Sequence, residues 1–309
     1  MAEPPRRLSL PPGYKLPSRR PNRPQILRRR LVALLVLAGL IALLYGVVRV
    51  ALGHGSGGNS ASTTIPKPLK IVFPEGFTRR QMAERIVAID AIAKRERGIR
   101  PILSASKYLA LTRSSSLPGR FAGDGKRRTL EGFLFPATYD FLDTTSTQQL
   151  VNDQLAAFRA AWKTLDLRYA HSKNLTNYDV LSIASMVEKE AYSPEERAKV
   201  AGVIYNRLHA HMNLGIDATL RYGLNLKPTE PLSPYLNSSS PYNTGAGHHY
   251  GLPPTPIANP GLASMQAAAH PDRRHRYLYY LRKPGTMHHY FTSSSADFVA
   301  HEKRWGYLK

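Results

Sequence analysis

The 309-residue sequence has no cysteine, which excludes disulfides, thiol nucleophiles and thiolate metal sites. Acidic residues are scarce: 21 Asp and Glu stand against 43 Lys and Arg, a formal net charge of +22. That balance suits an acidic partner, whether a membrane surface or a carboxylate- or phosphate-bearing polymer. There is no Gly-rich phosphate-binding loop to imply a nucleotide, and no internal repeat to imply a solenoid. A His-Glu-x-x-His helix, the usual mark of a zinc hydrolase, is also missing.

Charge is absent from one stretch altogether. Residues 31–48 form an 18-residue run without a charged side chain. As a helix it spans about 27 Å, close to the roughly 30 Å hydrocarbon core of a bilayer. A signal peptide has a shorter apolar core nearer the start of the chain. Thirty residues precede this one, so the sequence predicts an uncleaved transmembrane anchor over 31–52. Arg49 sits at its outer end, where a long side chain can snorkel.

Residues 1–30 hold nine Lys and Arg against one acid, Glu3, and read as a basic, disordered arm. Positive residues beside a span stay cytoplasmic, so the C-terminal bulk is expected outside the membrane. The arm suits anionic lipid, and no folded nucleic-acid reading motif accompanies it. Subtracting +8 for the arm and +1 for Arg49 from +22 leaves +13 on residues 50–309. A Gly/Ser/Thr-rich linker over 53–67 follows.

Beyond the linker, Leu69-Lys70-Ile71-Val72-Phe73 alternates like a strand. Thr78 followed by Gln81 is a capping-box pattern that opens a helix through Met82, Ile86 and Ile89. A short helix is expected around 107–111. Leu150/Val151, Leu155, Phe158, Trp162 and Leu165 recur at helical spacing. Another helix starts after Thr176 or Asn177 and runs through Leu181-Ser182-Ile183-Ala184-Ser185-Met186-Val187-Glu188-Lys189-Glu190-Ala191. Ser193, Pro194 and Glu196 signal the start of the next as cap, first position and capping-box partner. A helix over 260–269, a hairpin with Pro284-Gly285 in its turn and an amphipathic segment over 298–305 complete the chain. Helices with a small antiparallel sheet make this an α+β fold.

The segment ending in Glu188 and Glu190 is the strongest chemical signal. A carboxyl group at the end of an apolar helix is held where its pKa rises, the condition for donating a proton near neutral pH. The ordinary alternative is a solvated surface acid. At about 100° per residue, Val180, Ala184, Val187 and Ala191 form one stripe, with Glu188 and Glu190 flanking it about 200° apart. Geometry does not choose between them.

The blocks Leu130-Glu131-Gly132-Phe133-Leu134-Phe135-Pro136, Ala184-Ser185-Met186-Val187-Glu188-Lys189-Glu190, Ile204-Tyr205-Asn206-Arg207-Leu208, Asp217-Ala218-Thr219, Pro241-Tyr242-Asn243-Thr244 and Gly251-Leu252-Pro253-Pro254 occur in this order. Together they resemble the YceG-like endolytic murein transglycosylases over roughly residues 68–309. The resemblance implies a lytic-transglycosylase-like catalytic domain over 129–309 and a small α/β segment over 68–128, a shortened LysM-like region. It implies a lyase cutting peptidoglycan strands between N-acetylmuramic acid and N-acetylglucosamine, with Glu190 as the catalytic acid. No metal or organic cofactor is implied, and the expected partners are glycan strands, the membrane and peptidoglycan synthases.

Glu188, Asp217, Thr219, Tyr242, Asn243 and Glu131 are the supporting or substrate-binding candidates. Five of the six have an ordinary structural alternative: a surface acid for Glu188, turn residues for Asp217, Tyr242 and Asn243, a loop anchor for Glu131. The chain departs from the family pattern after Thr244, where Gly245-Ala246-Gly247-His248-His249-Tyr250 lengthens one loop. Two rival readings remain. His209, His211 and Asp217 with His248-His249 or His288-His289 offer zinc ligands. A wall-binding scaffold without catalysis is the other.

Overall fold

Thr78 starts a helix as its local sequence demands. In the structure, a computed structural model that describes residues 68–113, 117, 121 and 127–308, α1 (Arg79–Arg97) opens on a complete capping box. The Thr78 hydroxyl accepts from Gln81 N, and the Gln81 side chain accepts from Thr78 N. The helix stops at Gly98, whose φ of 66° is left-handed and lets its N–H reach Lys94 O. The predicted arm, span and linker at 1–30, 31–52 and 53–67 lie outside the described residues. Among the described residues no helix is long and apolar enough to cross a membrane.

Strand β1 (Leu69–Val72) alternates buried and exposed side chains and pairs antiparallel with β2 (Thr138–Phe141), Leu69 opposite Phe141. Between them come α1 and α2 (Ala105–Arg113). This two-stranded sheet straddles residue 128, so the segments on either side of it share one ladder. Tyr108 of α2 is fully buried and donates its hydroxyl to Gln154 Oε1 at 2.8 Å, tying α2 to α3 (Thr147–Lys163). Helix α3 contributes Leu150, Val151, Phe158 and Trp162 to the core, the spacing read from the sequence.

After the short α4 (Arg168–Ser172) comes α5 (Asn177–Glu190), capped by Thr176 and Asp179 in a second reciprocal box. The sequence stripe predicted one buried face. Instead all eight residues from Val180 to Val187 are buried, so protein encloses the helix on every side. Burying Leu181, Ile183 and Met186 contributes about 1.5–3 kcal/mol each. Helix α5 lies against α6 (Arg197–His209) and, more extensively, against α8 (Leu262–Ala269), whose alanines permit close approach. The remaining elements are α7 (Asp217–Leu224), the hairpin β3 (Tyr279–Arg282) with β4 (His289–Thr292), and α9 (Ser295–Arg304). The architecture is α+β, as the sequence predicted.

One predicted helix start is corrected. Pro194–Glu196 forms a single 3-10 turn, Ser193 makes no side-chain cap bond, and α6 begins only at Arg197. The Glu196 carboxylate is taken elsewhere: it accepts from His289 N at 2.9 Å and faces His289 Nδ1 at 2.8 Å. A tertiary partner has displaced the local cap.

Candidate active site

Glu190 is the last residue of α5, and Ala191 after it is already extended. Its carboxyl therefore leaves the driest part of the core where the chain turns away. Tyr280 of β3 donates its hydroxyl to Glu190 Oε2 at 2.9 Å, while Oε1 accepts no hydrogen bond from the described residues. By surface area Glu190 is half-buried, although protein surrounds its carboxyl closely. Burial pushes its pKa from 4.5 up to about 7. The Tyr280 hydrogen bond opposes that rise, the negative charge of Asp217 adds to it, and Arg207 and Lys189 oppose it. A carboxyl so placed holds a proton near neutral pH and still meets solvent.

Two grips hold the hairpin that carries Tyr280. Arg207 of α6 donates from Nε to Leu278 O at 2.6 Å and from Nη1 to Leu214 O, with its guanidinium 5.5 Å from the Tyr279 ring. The buried Glu196–His289 pair is the second grip. The His289 ring lies edge-on to Tyr280, centroids 5.4 Å apart. Glu196, just before α6, and Arg207, near its end, thus hold the hairpin that contacts the acid.

Glu188 points away from this group. Its Oε2 accepts from Gly261 N at 3.0 Å, in front of α8. Glu75 lies beside it: burial raises the Glu75 pKa, and the charge of Glu188 raises it further. A Cβ on Gly261 would fall 1.8 Å from Glu75 Oε1, so only glycine fits between them.

Asp217 opens α7 and its charge reaches Glu190. Although exposed as a residue, its carboxyl is desolvated enough for its own pKa to rise. It also borders a cavity of about 260 Å³ lined in addition by Asn237 and His248. Thr219 is buried, donating to Ile216 O at 2.6 Å and pairing with Thr244 Oγ1 at 3.0 Å. Asn243 borders the same cavity, but its side chain is committed to its own loop. Nδ2 donates to Leu236 O and Ser238 O, and Oδ1 accepts from Gly245 N. Tyr242 packs on Gly223, where a Cβ would sit 2.5 Å from its own, and its hydroxyl meets Thr255 Oγ1 at 2.8 Å.

Glu131 is also pushed up to about 7 by burial, but it is 1 % exposed and cannot reach a substrate. Its oxygens accept from Arg79 N at 3.0 Å, Asn259 Nδ2 at 2.8 Å and the Tyr222 hydroxyl at 3.1 Å. Asn259, fully buried, gathers three segments: its Oδ1 accepts from Gly132 N and Leu134 N, and its Nδ2 also reaches Phe77 O. This hub sets the loops around the C-terminal half of α5.

Sequence reasoning missed Tyr280, Arg207, Asn259 and the Glu196–His289 pair. Tyr280 stood in a strand pattern where tyrosine reads as packing, and Arg207 stood in a matched block without a role. Asn259 has no periodic signal at all. For the zinc reading, no group of three or more His, Asp or Glu among the described residues is arranged to hold a metal ion.

A family model described as the YceG-like family matches residues 53–304. An endolytic murein transglycosylase of Streptococcus pneumoniae is 34% identical over 216 residues, covering 64% of this chain and 38% of the relative. One of Bacillus subtilis is 38% identical over 158 residues, covering 51% and 43%. The chain thus spans about two fifths of the length of these curated relatives. The crystal structure of a YceG-like protein from Listeria monocytogenes superposes with a TM-score of 0.60 at 30% identity, covering 76% of each chain.

Proposed function

Because the chain belongs to the YceG-like family, we propose that it is a membrane-anchored peptidoglycan lytic transglycosylase, with Glu190 as its catalytic acid. The anchor is residues 31–52, and the catalytic part works outside the cytoplasmic membrane beside the synthases that extend the strand. The observation that carries this reading is a carboxyl with a pKa of about 7 that solvent can reach, one oxygen held by Tyr280 and the other unoccupied.

The chemistry follows from a single acid. Protonated Glu190 gives its proton to the oxygen that leaves C1 of N-acetylmuramic acid. The sugar's own C6 hydroxyl attacks C1 and closes a 1,6-anhydro ring. The Glu190 carboxylate then takes the C6 hydroxyl proton, which restores the acid. No water is consumed. Tyr280 keeps Oε2 occupied, so the proton sits on the oxygen that faces the substrate.

Ordinary glycosidases use two carboxyl groups across the bond. Asp217, whose charge reaches Glu190, supports hydrolysis as the competing reading. Products decide between them. Mass spectrometry of digested glycan strands is expected to show 1,6-anhydro ends, about 18 mass units lighter than the hydrolytic product because water is not added. Reducing N-acetylmuramic acid as the main product would overturn the mechanism and assign Asp217 as a water-activating base.

A further inference from the structure

A cavity of about 630 Å³ opens where the C-terminal half of α6 meets α4 and the segment that follows α8. Glu190 is not among its walls. The volume is in the range of small-molecule sites, about 300–1,000 Å³. Its floor is aromatic: Tyr169 stacks on Tyr205 at 5.8 Å, and Tyr205 is fixed by its hydroxyl bond to Ala268 O at 2.8 Å.

The rim is cationic and lacks counter-charge. Lys173, Arg273 and Arg276 line it, and the single acid on its walls, Asp272, is already engaged. Asp272 accepts from Arg274 N at 2.9 Å and pairs with His275 Nδ1 at 2.8 Å. Lys173 Nζ and the Arg273 guanidinium approach the same Tyr169 ring, at 5.6 and 5.0 Å from its centroid. None of the three cations is ion-paired to a described residue. Two like charges drawn to one ring repel each other, and a bound anion relieves that repulsion. An arginine fork suits a carboxylate held by two parallel bonds. The aromatic floor in turn suits a ligand with an apolar body, which a bare phosphate chain lacks.

We propose that this cleft binds the carboxylate-bearing peptide stems carried by the glycan strand, as a contact separate from the acid that cuts it. The identity of the ligand rests on the function proposed above. The binding itself does not require cleavage.

The test uses the full chain in detergent. Anisotropy of a labelled free stem peptide is measured with the wild-type chain and with the double variant Arg273→Glu, Arg276→Glu. The wild type is expected to bind the peptide, more weakly as salt rises, and the variant to lose about tenfold or more in affinity. Blocking the peptide's carboxylates as amides should produce the same loss. In turnover, the variant's KM rises about tenfold on stem-bearing strands. Its kcat, its melting temperature and its KM on strands stripped of stems stay unchanged. Equal binding by variant and wild type overturns the proposal, as does tight binding of polyphosphate without binding of the stem. Intact, charge-dependent stem binding together with absent anhydro products would sink the proposed function and leave the cleft standing.

Discussion

Replacing Tyr280 by Phe removes one hydroxyl and leaves a ring that still packs edge-on to His289 at 5.4 Å and beside Phe291 at 5.9 Å. The lost bond is the one Tyr280 donates to Glu190 Oε2 at 2.9 Å. A hydrogen bond to a charged acceptor is worth about 1.5–3 kcal/mol, and about 1.36 kcal/mol is one pKa unit. Glu190 is half-buried, so water replaces part of the bond and the lower figure applies. The bond favours the carboxylate; without it the protonated form gains. The Glu190 pKa therefore rises from about 7 by about one unit. A general acid acts in its protonated form, so with Glu190 in the proposed role activity is expected below its pKa and lost as pH rises through it. The assay is kcat/KM against pH, read as anhydro product. In Tyr280→Phe the alkaline limb should move up by about one unit, while the plateau falls a few-fold because the acid is weaker and less well oriented. An unmoved limb, or one displaced to lower pH, refutes the assignment of Tyr280 as the group that tunes Glu190.

Glu190→Gln should lower turnover by more than about 100-fold with folding intact, because an amide cannot deliver the proton; near wild-type turnover there with loss in Glu188→Gln would mean the wrong acid was chosen. Glu131→Ala removes the buried acceptor shared by Arg79 N, Asn259 Nδ2 and the Tyr222 hydroxyl and should cost about 3 kcal/mol or more in denaturant melts. Glu131→Gln should be milder, since the Tyr222 hydroxyl can rotate to accept from the amide; equal stability of the two variants removes the hub argument. The Glu131 pKa is raised by folding from 4.5 to about 7, so its contribution to stability is present below pH 4.5 and declines as pH rises through that window. Glu131→Gln should flatten that part of a stability-versus-pH curve. Glu196→Ala leaves His289 N–H and Nδ1 unsatisfied, about 1–3 kcal/mol. Loss of activity should accompany it, seen as a drop in kcat larger than the change in KM; unchanged kcat would show that the grip on the hairpin does not serve Glu190.

Signals confined to a few residues were legible in advance. The Thr78–Gln81 box, the apolar spacing of α3, the start of α5 at Thr176 and the β3–β4 hairpin all form as the sequence implied, because each rests on neighbours close along the chain. Glu196 shows where that logic ends. Its spacing from Ser193 has the form of a capping box, yet His289 offers a backbone N–H and a ring nitrogen together, and that pair takes the carboxylate in place of the cap. The β1–β2 ladder joins residues on either side of two helices, and no local pattern announces it. The same limit applied to the candidate site. Sequence spacing placed Glu188 and Glu190 on opposite sides of one helix, and they do face different surroundings, Gly261 and Tyr280. Which surroundings these would be depended on contacts about 70 to 90 positions away.

The placement of those two acids has an electrostatic consequence. A helix carries roughly half a unit of negative charge at its C-terminus and half a unit of positive charge at its N-terminus, each felt within about one turn. Glu190 stands at the negative pole of α5, which adds to the penalty on its carboxylate. Glu188, two residues earlier on the same helix, turns its carboxylate to the N–H of Gly261 at the positive pole of α8. One helix end thus presents two chemically identical side chains to opposite backbone fields. Their different surroundings are set by the direction in which two neighbouring helices run.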